Sequence, residues 1–492
     1  MNKINKSSKM ILLILCGLIL PLGGCMVGPN YHRPQTSVPS GWIGTVDQNT
    51  AAMDLVHWWT AFNDPNLNSL IERAVKSNLN LKQAESRLRQ ARAARKIASA
   101  GLWPTLDAKG SYARSQSAGT AKASGARDDL WQTGLDAVWE IDVFGGVRRG
   151  VEAAESDIQF AVEDQRDVLV TLCGEVALNY IELRGFQQEI IISQNNLKAQ
   201  QHTAELTRQR FNSGLVSALD VANSDAQVGT TASQIPVLET SARQTIYNLS
   251  VLLGREPTAL LAELSPKASI PPAPPALPAE LPSDLLRRRP DIRRAEAQIH
   301  AATARIGVAT ADLFPKFNLT GSAGYQTSTS FNGMINSRYG FWSIGPSIDW
   351  QIFNAGSVRA NIEVQKALTE QASLTYQSAV LTALQDVENF LVAYSNEQQR
   401  NKALQDTVVA NKKAVELATQ LYSEGQTEFL NVLDSQRSLY VSEESLVQST
   451  RNLSTDMVSL YKALGGGWED KSLNAIQDGN EPNSPVIFEK LQ

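Results

Sequence analysis

One cysteine in this sequence stands where covalent chemistry is expected. Leu22-Gly23-Gly24-Cys25 follows a basic stretch (Lys3, Lys6, Lys9) and the apolar run Met10–Leu20, which is too short to span a bilayer as a helix. Basic, apolar, small, cysteine is the order of a lipobox. A peptidase would cut before Cys25, and its thiol would be acylated as the first residue of the mature chain. An ordinary cleaved signal with an unrelated cysteine is the alternative. Met26 occupies the place where an aspartate would resemble an inner-membrane retention signal, so outer-membrane sorting is favoured. Cys16 leaves with residues 1–24, and Cys173 lies in a helical pattern (Val168, Leu172, Val176) as a small buried hydrophobe. The four histidines (His32, His57, His202, His300) show no ligand spacing, and His300 reads as a surface residue of a helix. There is no phosphate loop, dinucleotide fingerprint or nucleophile elbow. The expectation is therefore no enzyme, no metal and no cofactor beyond covalent lipid on Cys25.

The elements that carry these residues are organised by a repeat. Asn80-Leu81-Lys82-Gln83-Ala84-Glu85 returns as Asp291-Ile292-Arg293-Arg294-Ala295-Glu296, and Leu102-Trp103-Pro104 returns as Leu313-Phe314-Pro315. The same offset of 211 pairs Trp131 with Trp342, Trp139 with Trp350, Gly145 with Gly356, Gly214 with Gly425 and Gly254 with Gly465. Self-similarity of this kind decides the fold before any other reading. The 492 residues are 42% hydrophobic and 19% charged, with a net charge of −5, so nothing suggests nucleic-acid binding.

Taken in order, residues 1–24 form the signal peptide and 25–65 a Pro-, Gly- and Trp-rich extended segment. Trp42, Trp58 and Trp59 in that segment pack on the body. The first repeat occupies 66–254, a Pro-rich extended linker 255–290, the second repeat 291–465 and a polar tail 466–492. In each repeat a helical pattern (Leu81, Ala84, Leu88, Ala91) runs into a proline, Pro104 or Pro315, that ends it. The period then changes to two, giving amphipathic strands at about 105–115, 130–144, 316–327 and 341–353. Strands of that length cross a membrane when tilted, and Tyr112, Trp131, Trp139, Tyr325, Trp342 and Trp350 suit an interfacial girdle. Four strands cannot close a barrel, and an open edge cannot be satisfied in lipid. Three chains would supply twelve. Nearly proline-free stretches, Gly146–Asn212 and Ser357–Ser423, then predict rods of about 100 Å. A stripe of Ala372, Tyr376, Ala379, Ala383, Val387, Phe390 and Tyr394 predicts coiled-coil pairing. Each rod ends at a glycine turn, Gly214 or Gly425, and a return helix follows.

The fold class expected is mainly α with a transmembrane β portion. Long antiparallel coiled-coil helices would form an α-barrel, and four strands per protomer a twelve-stranded trimeric barrel. The chain resembles outer membrane factors of the TolC family, in the lipoprotein branch of NodT- and OprM-like efflux channels. Cys25, Gly28, Pro29, Tyr31 and Pro34 meet that branch's C-x-x-G-P-x-Y-x-x-P start, and Arg288-Arg289-Pro290-Asp291 is also similar. The resemblance implies a homotrimer in the outer membrane with a long periplasmic portion, a periplasmic adaptor protein and an inner-membrane RND-type transporter. It implies a periplasmic gate near Tyr422, Asn431 and Asp434. Asn431 departs from the acidic residue found in TolC at that position, and Thr427 from its arginine. It also implies adaptor-docking tips at Phe211, Gly214, Tyr422 and Gly425. A solvated helical charge is the alternative for Asp434, and plain capping the alternative for the tips.

The function expected is a passive efflux conduit. A duct for type I protein secretion is the runner-up. A non-conducting coiled-coil lipoprotein scaffold and a soluble enzyme are more remote.

Overall fold

The structure, a computed structural model, describes residues 26–43, 55–116, 118, 127–274, 282–328 and 335–469. The chain is mainly helical, and its elements run in the order α1 (Pro65–Ser77), α2 (Leu79–Ala100), β1 (Thr105–Gln116), β2 (Arg127–Ile141), α3 (Gly146–Asn212), α4 (Ala218–Leu252), α5 (Leu261–Leu264), α6 (Pro282–Arg288), α7 (Pro290–Ala311), β3 (Lys316–Thr327), β4 (Gly340–Asp349), α8 (Ser357–Ser423) and α9 (Phe429–Ala463). A 3-10 turn, Trp58–Phe62, precedes α1. The bounds of α7, β3, α8 and α9 are those of α2, β1, α3 and α4 displaced by 211 residues. Both α3 and α8 contain 67 residues, about 100 Å of helix each at 1.5 Å per residue. No helix among the described residues is long and apolar enough to cross a membrane.

The chain divides into two units. The first holds residues 1–35, 87–162 and 294–377 and contains the sheet. Its strands are antiparallel in the order β1-β2-β3-β4, which leaves β1 and β4 as edges. β2 begins earlier and ends sooner than the expected 130–144, and β4 stops at Asp349, short of 353. The reason at β2 is local: Asp142 turns to accept from Val147 N and Arg148 N and so starts α3 instead of extending the strand. The foot of the sheet is tied twice in the same way. Trp139 Nε1 donates to Leu102 O at 3.0 Å and Trp350 Nε1 to Leu313 O at 3.1 Å. Phe144 stacks on Phe314 beside them, with ring centroids 4.5 Å apart.

An N-terminal strap is seated in the same unit. Val27 N donates to Phe144 O, and the buried Arg149 donates to Val27 O, Asn30 Oδ1 and Glu152. Tyr31 stacks on His300 at 4.3 Å and donates to Glu296, which also pairs with Arg33. Burial beside the Glu296 carboxylate raises the Tyr31 hydroxyl well above its usual range. His300 is thus not the free surface residue expected. Its Nε2 lies 3.2 Å from Glu152 Oε1, and its ring carries the strap.

The second unit holds residues 36–86, 163–293 and 378–492 and contains the main apolar core. Asp64 caps α1 and accepts from Tyr180 Oη. Trp58 stacks on Tyr461 with centroids 5.2 Å apart, and Trp59 is buried beside it. Cys173 is buried here, its thiol pushed up to about 12 by desolvation. Arg289 gathers three partners: Asp291, Asp386 and the carbonyl of Ala463 at the end of α9. The linker is not uniformly extended, since it contains α5 and α6. Its described proline segment lies on helices, with Pro271 O accepting from Ser454 and Pro274 O from Tyr394. Residues 275–281 lie outside the described residues. After α9 the chain is packed as far as Trp468, which sits against the guanidiniums of Arg166 and Arg293 and donates to Arg288 O.

Candidate functional site at the sheet faces and the helical tips

The sheet register sorts side chains by chemistry. In β1 against β2, Leu106 faces Ala137, Ala108 faces Leu135 and Tyr112 faces Trp131. Across β3 and β4 the same face carries Leu319, Tyr325, Trp342, Ile344 and Ile348. The opposite face carries Asp107, Lys109 and Ser111, then Gln132 and Asp136, then Asn318, Ser322 and Ser343. Lys109 pairs there with Asp136 at 2.7 Å, and Ser322 with Ser343. Among the described residues nothing covers the apolar face: Trp342 is 78% exposed and Ile344 69%. A water-soluble sheet would bury that face against another layer.

The helical tips lie in the second unit. α3 ends at Asn212 and α8 at Ser423, and each is followed by a glycine in the left-handed region, Gly214 at φ +70° and Gly425 at φ +75°. These φ values favour glycine at the C-cap turn. α4 then starts with a capping box between Ser217 and Asp220. Phe211 stays 42% exposed. Tyr422 does not line a surface as the expected constriction role requires. Its ring is buried with Phe429, Val432 and Leu433 in a small core, and its hydroxyl donates to Thr207.

Arg210 joins the two turns. Its Nη1 donates to Tyr422 O at 2.8 Å and to Ser423 O, and its guanidinium lies 4.8 Å from the Tyr422 ring centroid. A cation at the carbonyl end of α8 suits the helix dipole. The repeat marks this residue, because its counterpart 211 positions on is Leu421, but sequence reasoning passed over it.

Asn431 and Asp434 are one turn apart on α9, and both are exposed. Asn431 Nδ2 donates to Thr427 Oγ1 at 2.7 Å, so the two residues that depart from the TolC pattern bond to each other. Asp434 makes no ion pair among the described residues. Further links hold α9 that the sequence did not reveal. Gln436 donates to Thr203, Arg437 Nε to Gln227 Oε1 at 2.8 Å, and Tyr440 Oη to Gln234 Oε1 at 2.6 Å. Burial raises the Tyr440 hydroxyl, so it stays a donor. Cys25 lies outside the described residues. Its neighbour Met26 is seated against Gly145 at the foot of the sheet. Among the described residues no group of three or more His, Cys, Asp or Glu is placed to hold a metal ion.

Comparison with known proteins agrees with this geometry. The family profile described as outer membrane efflux protein matches residues 70–255 and 281–466. Nodulation protein T of Rhizobium leguminosarum bv. trifolii is 33% identical over 454 residues, 91% of this chain and 96% of its own length. The solvent efflux pump outer membrane protein SrpC of Pseudomonas putida is 33% identical over 92% of this chain and 97% of its own. The solved outer-membrane channel OprN superposes with a TM-score of 0.84 at 34% identity, covering 91% of this chain and 100% of that one. With matches of this extent in both halves, the chain belongs to the outer membrane efflux protein family.

Proposed function

We propose that the chain is a passive outer-membrane efflux channel that carries small toxic compounds out of the cell envelope. The observation that carries the reading is the uncovered apolar face of the four-stranded sheet, backed by a polar face suited to water. The strands contain 12, 15, 12 and 10 residues, enough to cross a bilayer when tilted. The edges β1 and β4 have unpaired backbone groups that hydrocarbon cannot satisfy. Three copies joined edge to edge would close a twelve-stranded barrel, and the two halves of each chain would act as copies of one unit. SrpC and OprN are, by their names, an efflux-pump outer membrane protein and an outer-membrane channel, which supports the same reading.

The remaining parts of the assembly follow from that reading. The lipid sits on Cys25. The turns around Phe211, Gly214 and Gly425, braced by Tyr422, receive a periplasmic adaptor. An inner-membrane RND-type transporter supplies the energy. Asp434 and Asn431 line the periplasmic constriction. Three Asp434 carboxylates around a narrow axis repel one another and draw cations.

Purified protein added to a planar bilayer should give discrete conductance steps, and cross-linking should give a trimer. A protein that stays monomeric in detergent and gives no steps refutes the channel. Cys25→Ser should abolish incorporation of labelled palmitate. Continued labelling would refute the acylation site.

A further inference from the structure

The helix α4 is held differently along its two halves. Beyond Ala242 it is anchored by apolar side chains, since Ala242, Ile246 and Leu249 belong to the main core. From Ala218 to Thr231 its buried side chains are Ser224, Gln227 and Thr231, all of them polar. Between these halves stands Pro236, inside the helix and exposed. Proline has no N–H, so the Ala232 carbonyl loses its helical donor, and the pyrrolidine ring crowds that carbonyl. The turns around it are loosened further. Ser233 Oγ bonds to Thr230 O, Thr240 Oγ1 to Pro236 O and Ser241 Oγ to Val237 O, and each hydroxyl competes for a backbone acceptor. At the matching place in α9 stands Val447, which is buried. The two helices are equally long and continuous, but one has a buried valine where the other has an exposed proline that leaves a helical carbonyl without its donor.

We propose that α4 is a hinged helix that bends at Pro236, and that its tip-side half, Ala218 to Gln234, travels with α9 when the tip moves. The break supplies the bend, as kinks do at proline. The co-motion comes from two links on the tip side of the break. Arg437 holds Gln227, and Tyr440 holds Gln234 beside the pivot. Val216, just before α4, packs on the Tyr422 core and strengthens that attachment. Of the ties that oppose this motion, α3 holds α4 by Arg208 with Asp225 at 2.9 Å, about half exposed on both sides, and holds α9 by Thr203 with Gln436 and Ser193 with Tyr440. The exposed ion pair holds weakly and yields first. Only the functional arm of the proposal rests on the channel reading.

Two measurements on the full-length protein test it. Amide hydrogen exchange should be at least tenfold faster at residues 233–240 than at the matching 444–451, and Pro236→Ala should remove most of that difference. Equal protection in the two stretches, or no response to Pro236→Ala, overturns the hinge. This arm does not depend on conduction. In the second arm, a Gln227→Cys, Arg437→Cys double variant is joined by a short bifunctional thiol reagent, and bilayer conductance is recorded. Conductance within twofold of the uncross-linked variant is expected if the two segments move as one. A loss of conductance on joining overturns the co-motion. If the wild type itself gives no conductance steps, the channel reading and the co-motion in gating fall together, while the exchange result still decides the hinge.

Discussion

The strap is where a single methyl group should have the largest consequence. Gly28 has φ +87°, and a Cβ built on it would lie 2.5 Å from Gly307 Cα and 3.1 Å from Gly307 N. Both are backbone atoms, so no side chain can swing aside. Gly28→Ala therefore incurs about 1–2 kcal/mol for the left-handed conformation and must also separate the strap from α7. Separation breaks the Val27 N bond to Phe144 O and two Arg149 bonds, to Val27 O and Asn30 Oδ1. Bonds from a charged donor contribute about 1.5–3 kcal/mol each, and Arg149 is only 2% exposed, so water replaces them poorly. The two Arg149 bonds alone put the local destabilisation at about 3–6 kcal/mol, which ends in release of the strap. Amide exchange of residues 27–31 should accelerate by roughly a hundredfold or more, at 1.4 kcal/mol per factor of ten. Gly41→Ala is the control, since a Cβ there meets nothing within 4 Å. If Gly28→Ala left these amides as protected as in the wild type, or Gly41→Ala exposed them equally, the seating argument would fail.

At the tips, Arg210→Ala should loosen the turn after α8 by about 1–2 kcal/mol, because it removes the donor to Tyr422 O and Ser423 O. Faster exchange at residues 422–428 checks this. Asp434→Ala should raise resting conductance and antibiotic leak because it shortens one side chain per chain at the proposed constriction, and unchanged values of both would count against that role. Burial, with Glu397 nearby, pushes the Asp456 carboxyl up to about 6, so the folded state favours the protonated form. Its contribution to stability therefore improves as pH falls through 6 towards 4. Asp456→Asn should raise the melting temperature at pH 8, and the gain should vanish near pH 4. A gain independent of pH would contradict the burial argument.

Much of this architecture could be read from residue order alone, and the misreadings have local causes. Alternation separated the two faces of the sheet, because Leu, Ile and Trp fall on one parity and Ser, Asn and Asp on the other, save Leu130 and Asp129 near the start of β2. The stripe on α8 differs at two positions, by one residue each. Val380 and Leu391 are the fully buried residues there, while Ala379 and Phe390 are half-buried and Phe390 packs against the core. Both neighbours are apolar in each case, so periodicity alone could not choose between them. Trp139 and Trp350 were legible as strand-end aromatics but not as donors to the Leu102 and Leu313 carbonyls, since those bonds join segments far apart in sequence. Tyr422 sits beside a turn glycine, where exposure is the natural expectation, and only packing against Phe429 and Leu433 turns its ring inward. The short helices in the proline stretch were missed because proline density predicts extension, although proline is well tolerated at a helix start such as that of α6.

The paired indole bonds at the foot of the sheet also guard against misassembly. Side chains in a strand alternate strictly, so sliding β2 or β4 by a single residue would move Trp and Leu to the polar face and Ser and Asp to the apolar one. The same slip would pull Trp139 or Trp350 off its carbonyl and leave an indole N–H and a helix-end oxygen both stranded. A misaligned hairpin is thus penalised twice, by the solvent on each face and by a lost anchor at its base, while only the correct alignment satisfies both.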